Sequence, residues 1–343
     1  MAFKVRYLNK PFSVSIFLTK CCNLSCKHCV YGCSSDRPKI FLSLEDFKTI
    51  LDKLANDGVM QIVLTGGEPL LHPNFANIVK LIHDYGLSWR LITNGTLINE
   101  DVARVIARNE PSSVIISIDG PDKATHEFIR GANTFERVIN ALQILKKHNV
   151  KLSINTVLHR MIDETKISAM IELAIKYNAS LNVIPLYPSG NAIKNWSKIS
   201  HTPLTVRKLV QFYIEESKRY GVKREEPSIG LEPDTCGAAR MFMSIDEYGY
   251  TYPCDLFVET DFRGPSLLEA DVDQCWNSIP FKLVRKILID IRGCVLHNLC
   301  QKYSSEGCKP CPALAYRFFK NIFMPDPRCL LYSIEMGDTS LGP

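Results

Sequence analysis

Thirteen cysteines in 343 residues are placed in a way that few folds accept: five between positions 21 and 33, none from 34 to 235, eight from 236 to 329. The number is odd and no secretory signal precedes it, so it does not read as the evenly paired disulfide framework of a short secreted chain. In a reducing compartment, clustered cysteines are metal ligands or catalytic thiols more often than bridges. Two metal-binding regions thus flank a cysteine-free body. The body has material for a large core: the chain is 46% hydrophobic and 22% charged, which excludes disorder, and its glycines and prolines are too scattered for a fibre. A net charge of +5 with no basic stripe gives no reason to expect nucleic acid. No apolar run approaches the roughly 18 residues of a membrane span. The apolar stretch 12–18 runs too soon into Lys20 and the cysteines to be a signal peptide.

The body alternates. Strand-like apolar runs fall at 13–19, 59–65, 88–94, 113–119, 151–158 and 180–186, and helix-period segments at 44–56, 75–85, 99–108, 135–148 and 164–177 separate most of them. Ser43 followed by Asp46 signals a capped helix start. Six strands alternating with helices imply a parallel sheet with right-handed crossovers, either doubly wound or a barrel, complete or partial. Residues 187–235, broken by Pro188, Gly190, Pro203, Pro227, Gly230 and Pro233 around one helix near 204–220, read as a passage to the tail. The tail, 236–343, has a hairpin pattern at 241–245 and 250–253 and a helix pattern at 279–291. Its loop-rich, cysteine-dense end needs metal staples to hold shape.

The first thiol group is Cys22-x3-Cys26-x2-Cys29, directly after the first strand. Spacing alone leaves two readings open. One is a structural zinc knuckle, with Cys21 or Cys33 as a fourth ligand. The other is an iron–sulfur cube whose fourth iron stays free. The second strand ends in Thr65-Gly66-Gly67-Glu68-Pro69. Paired glycines there let a ligand approach the backbone, and Glu68 can accept from an amine; a plain turn has the same composition. Polar residues also recur at the carboxyl ends of the other strands: Asn94, Ser117, Asp119, Asn155 and the stretch from Pro188 to Gly190. That end is where β/α barrels place ligands. Asp119 reads equally well as a turn former.

The cysteine triplet and the Gly-Gly-Glu-Pro stretch, in this order over residues 13–190, resemble the radical S-adenosylmethionine (SAM) superfamily. The resemblance implies a partial (β/α)6 TIM-like barrel in which Cys22, Cys26 and Cys29 hold a [4Fe–4S] cluster. It implies SAM contacts from Gly66, Gly67, Glu68, Asn94, Ser117, Arg130 and Asn155. His28 matches an often aromatic position near the adenine. Cys236-x12-Gly249-x4-Cys254, followed by Cys294, Cys300, Cys308, Cys311 and Cys329, resembles the SPASM extension, which usually carries two auxiliary [4Fe–4S] clusters. The spacing from Cys294 to Cys311 departs from that pattern, so individual ligand assignments there rest on thiol number. By the family pairing, Cys236, Cys254 and Cys311 hold an inner cluster and Cys294, Cys300, Cys308 and Cys329 an outer one. Cys275 is left as a spare, buried thiol, and Cys21 and Cys33 as bystanders, with Cys33 retaining an option as hydrogen-atom donor or ligand. Asp255 stands where sulfatase-maturing members have a base; a solvent-facing acid is the plainer alternative.

These readings give an α/β chain of three parts: a radical SAM core at 1–190, a connecting segment at 191–235 and a SPASM-like auxiliary domain at 236–343. The expected function is radical modification of a ribosomally made precursor peptide by crosslinking, epimerisation or backbone excision such as tyramine splicing. The rivals are a radical SAM dehydrogenase of small molecules, a sulfatase-maturing enzyme, and a non-catalytic iron–sulfur or zinc scaffold. The chain begins almost at its first strand, so leader recognition, if any, is expected from a separate small protein or from the barrel surface. An electron donor such as flavodoxin or ferredoxin, no nucleic acid or membrane partner, and a cytoplasmic location complete the expectation.

Overall fold

The structure is a computed structural model that describes residues 7–223, 236–288 and 311–329. Its frame is one eight-stranded sheet in the order β6-β5-β4-β3-β2-β1-β7-β8. The strands are β1 (Ser13–Phe17), β2 (Gln61–Thr65), β3 (Ser88–Thr93), β4 (Ser113–Ser117), β5 (Leu152–Leu158), β6 (Ser180–Pro185), β7 (Phe242–Ile245) and β8 (Thr251–Tyr252). All neighbours pair in parallel except β7 with β8. The sheet does not close, so this is the partial, TIM-like barrel of an α/β chain.

Strand periodicity explains the two faces. Val14, Ile16, Ile62, Leu64, Leu91, Val114, Ile116 and Ile154 are wholly buried in the main core with the helices. Alternate positions are small or polar: Ser15, Ser117, Asn155, Asn182 and Ser244. The helices α1 (Leu44–Asn56), α2 (Phe75–Asp84), α3 (Glu100–Arg108), α4 (Lys123–Arg130), α5 (Phe135–Lys147), α6 (Glu164–Tyr177), α7 (Asn191–Ile199) and α8 (Pro203–Arg219) follow in chain order. Ser43, Asn99, Asp122 and Asp163 each accept a backbone N–H at the start of α1, α3, α4 and α6, as the capping chemistry requires.

Most expected elements match within a residue or two, and three differences matter. The fourth strand stops at Ser117, before Asp119. Residues 123–130 and 191–199 form helices to which the sequence pattern assigns none, being too short to show a clear period. The tail hairpin also joins the main sheet, because β7 lies parallel to β1 with Ser15 opposite Ser244. The expected helix at 279–291 is observed as Ile279–Lys286, and its last three positions lie outside the described residues, as do Cys294, Cys300 and Cys308. Among the described residues, no helix is long and apolar enough to cross a membrane.

Candidate active site

The loop after β1 carries Cys22, Cys26 and Cys29 and is held from several sides. Its backbone meets the glycine pair first: Gly67 N–H donates to Thr19 O at 2.8 Å and Glu68 N–H to Cys21 O at 3.0 Å. A Cβ on Gly66 would stand 2.2 Å from Thr19 O, and one on Gly67 2.2 Å from Cys21 O. The glycines therefore make room for the cysteine loop itself. From the far side, Asn191 N–H donates to Cys29 O at 2.9 Å and Ser189 Oγ to Val30 O at 3.0 Å. Lys27 N–H donates to Ile129 O at 2.9 Å at the end of α4. The ends of β2, α4 and β6 thus converge on one loop.

The three thiols differ. Burial pushes Cys22 up to about 12 and Cys26 up to about 11, so both are protonated in the free chain. Cys29 is lowered to about 6, first because the Cys33 thiol donates to it. The sulfurs lie within each other's field. Three thiols on one loop, within each other's field, are the donor chemistry that an iron–sulfur cube takes. The donor set fits the cluster.

Around this loop the other expected residues gather. Glu68 has no exposed surface and accepts from Leu70 N–H at 3.1 Å, Thr93 Oγ at 2.7 Å and Asn94 N–H at 2.9 Å. Asn94 Nδ2 points to Asn23 Oδ1 at 2.9 Å and to Cys22 Sγ at 3.8 Å. Ser117 and Asn155 face each other in register, and Asn155 Oδ1 accepts from Asn182 at 2.9 Å. Arg130 is nearly buried and donates through Nε to Asp119 at 2.5 Å. Its charge reaches Cys26 and Cys22. Asp119, left open above as a turn former, is a wholly buried ion-pair partner; the cap of α4 is Asp122.

In the tail, Cys236, Cys254 and Cys311 lie within each other's field. Burial raises Cys254 well above the usual thiol range and Cys311 to about 12. Cys329 joins them through Asp326, whose carbonyl accepts from Cys329 N–H at 2.8 Å while its carboxylate accepts from Cys311 N–H at 3.1 Å. Cys275 is buried, its thiol 3.5 Å from Pro265 O. Asp255 accepts from Ser244 Oγ at 2.5 Å, and burial raises its carboxyl above the usual range. Sequence reasoning missed Tyr31 and Arg317. Burial, then the charge of Asp255, holds the Tyr31 phenol well above its usual range, and Arg317, Cys254 and Cys29 are all near enough to act on it. Arg317, on the helix Pro312–Phe319, donates to Leu256 O at 2.5 Å and Ser189 Oγ at 3.3 Å. Tyr31 lies two residues past Cys29, the one local signal that pointed to it.

Comparison with known proteins bears on this arrangement. Residues 16–174 match the family model described as the radical SAM superfamily. The mycofactocin maturase MftC of Mycobacterium ulcerans is 28% identical over 342 residues, covering 94% of this chain and 89% of that protein. The AdoMet-dependent heme synthase of Methanosarcina barkeri is 28% identical over 348 residues, covering 94% and 97%. Among solved structures, Streptococcus suis SuiB bound to S-adenosylmethionine superposes with a TM-score of 0.72 at 16% identity, covering 98% of this chain and 77% of that one. SuiB has also been solved bound to the precursor peptide SuiA. The fold, the cysteine triplet on its loop and the match over residues 16–174 agree on a radical SAM domain; members of that superfamily use SAM and a [4Fe–4S] cluster.

Proposed function

We propose that the chain is a SPASM-type radical SAM enzyme that modifies a ribosomally made peptide. One observation carries the reading: Tyr31 lies within reach both of Cys29 on the first loop and of Cys254 and Asp255 in the tail, so the two thiol groups approach a common space. A substrate between two such thiol groups has a hydrogen-abstracting side and a proton-accepting side.

In this reading Cys22, Cys26 and Cys29 hold the [4Fe–4S] cluster, and Gly66, Gly67, Glu68, Asn94, Ser117, Arg130 and Asn155 orient SAM. Bound together and given one electron by the external donor, cluster and SAM would supply the chemistry of hydrogen-atom abstraction from substrate. Asp255 takes a proton from the oxidised substrate. Its burial and its bond to Ser244 keep the carboxyl in place and more basic than a surface acid. Cys236, Cys254 and Cys311 hold an inner auxiliary cluster, and Cys294, Cys300, Cys308 and Cys329 an outer one. The core is assigned to 1–190, the connection to 191–235 and the auxiliary domain to 236–343. A small leader-binding protein and a flavodoxin- or ferredoxin-like donor in a reducing, cytoplasmic setting complete the system.

The test is the intact mass of a short peptide encoded beside this gene, co-expressed with the enzyme or its Cys26→Ala variant. A Cys26-dependent change is expected. Loss of a hydrogen pair would identify a crosslink or oxidation, and loss of a tyramine unit a backbone excision. An unchanged peptide, also in deuterated water and with SAM cleavage intact, would overturn the peptide reading in favour of a small molecule.

A further inference from the structure

Asp119 has no exposed surface, and contacts from several elements hold it. Its Oδ2 accepts from Arg130 Nε at 2.5 Å and faces His28 Nε2 at 3.5 Å, while Oδ1 accepts from Val157 N–H at 2.8 Å. The backbone is fixed as well. Asp119 N–H donates to His126 Nδ1 at 3.1 Å, and its carbonyl meets His159 Nε2 at 2.7 Å. Those contacts come from the cysteine loop, from α4, from β5 and from the turn after β5. A carboxylate held in this way sets where the Arg130 guanidinium sits.

The contact uses only the Nε edge of Arg130. Among the described residues its two terminal nitrogens make no hydrogen bond, and the side chain keeps 10% of its surface open. The guanidinium lies close enough to Cys22 and Cys26 for its charge to act on both. A guanidinium pinned at Nε with both Nη groups uncommitted offers the two-pronged donor fork that binds carboxylates.

We infer that Asp119 is a positioning residue, which aims the Nη fork of Arg130 at the carboxylate of the amino-acid end of SAM over the cysteine loop. The inference rests on the reading of Arg130 as a SAM contact. The competing view is that Asp119 is a buried counter-charge that only stabilises the fold.

The experiment measures SAM dissociation constants anaerobically by calorimetry on the cluster-loaded enzyme, with iron content and thermal midpoint recorded for every variant. The variants are Asp119→Asn, Arg130→Gln and the double substitution. Asp119→Asn is expected to weaken SAM roughly 10- to 100-fold, the usual effect of removing a support behind a ligating group. The double variant is expected to bind no worse than Arg130→Gln, because Asp119 acts only through Arg130. If Arg130→Gln leaves SAM binding unchanged, the reading of Arg130 fails and the inference falls with it. If Arg130→Gln weakens binding while Asp119→Asn changes only the thermal midpoint, or if the two effects multiply, the positioning role alone is wrong. Should Asp119→Asn fail to fold, Asp119→Glu keeps the buried charge but moves it by a methylene. Weaker SAM binding in that variant supports the role, and undiminished binding overturns it.

Discussion

Glu68 is wholly buried, and burial raises its carboxyl from 4.5 to about 6. Between those values the folded chain keeps a proton that the unfolded chain has released. The contribution of Glu68 to stability is therefore complete below pH 4.5 and is lost as pH rises through about 6. The swing is about 2 kcal/mol. His28 and His126 work the other way: burial lowers both from 6.5 to about 4, so their contribution is complete above pH 6.5 and is lost as pH falls through about 4. The difference between wild type and Glu68→Gln isolates the carboxyl. The variant has an acceptor fewer for Leu70, Thr93 and Asn94, which costs about 1–3 kcal/mol. Its thermal midpoint should gain on wild type as pH rises from 4.5 to 7, and parallel profiles would refute the shift. The sequence marked Glu68 as an amine acceptor, and the protein donors that surround it could not be read there. Thr93 and Asn94 are 25 and 26 residues away, and contacts at that range leave no periodic trace. Asp119 escaped for the same reason, since Val157 is 38 residues on.

The β/α alternation was legible because each strand and helix writes its own period. Which strand lies beside which is written nowhere locally. The hairpin of β7 and β8 was readable, but its docking parallel to β1 is a pairing across more than two hundred residues. The glycine pair shows the same limit: its sequence suggests ligand approach, and the seating of β2's exit against the cysteine loop, which the structure adds, leaves no local trace. This gives a sharp prediction. Gly67→Ala puts a methyl 2.2 Å from Cys21 O, so the loop has to move. Iron per chain should fall after reconstitution. Gly58→Ala is the control: its φ of +81° strains any side chain, but nothing lies within 4 Å of the added methyl. That variant should lose about 1 kcal/mol of stability and keep its iron. Equal iron loss in both would mean that general destabilisation, and not the contact with Cys21, governs loading.

At the scale of the whole molecule, acids of the tail grip the cysteine loop at both ends. Lys20, 6% exposed just before the first cysteines, lies 3.3 Å from Glu247 and 3.3 Å from Glu259. Arg37, beyond the loop, donates to Glu259 at 2.8 Å and to Tyr31 O and Gly32 O at 2.8 and 3.2 Å. Two cations and two anions balance. Glu259 keeps about a third of its surface, so its pairs are screened, whereas Lys20 and Glu247 are shielded from water. Breaking a buried pair from one side strands a charge and costs about 3–5 kcal/mol, while replacing both sides with neutral groups costs far less. Lys20→Met should therefore lower the thermal midpoint sharply, and adding Glu247→Gln should restore part of the loss. Hydrogen exchange should rise in peptides covering the cysteine loop in the single variant and recede in the double one. Additive losses would mean that the lysine acts through its packed stem alone, and the loop would then owe its position to the glycine contacts of β2 and the carbonyl bonds of the β6 turn.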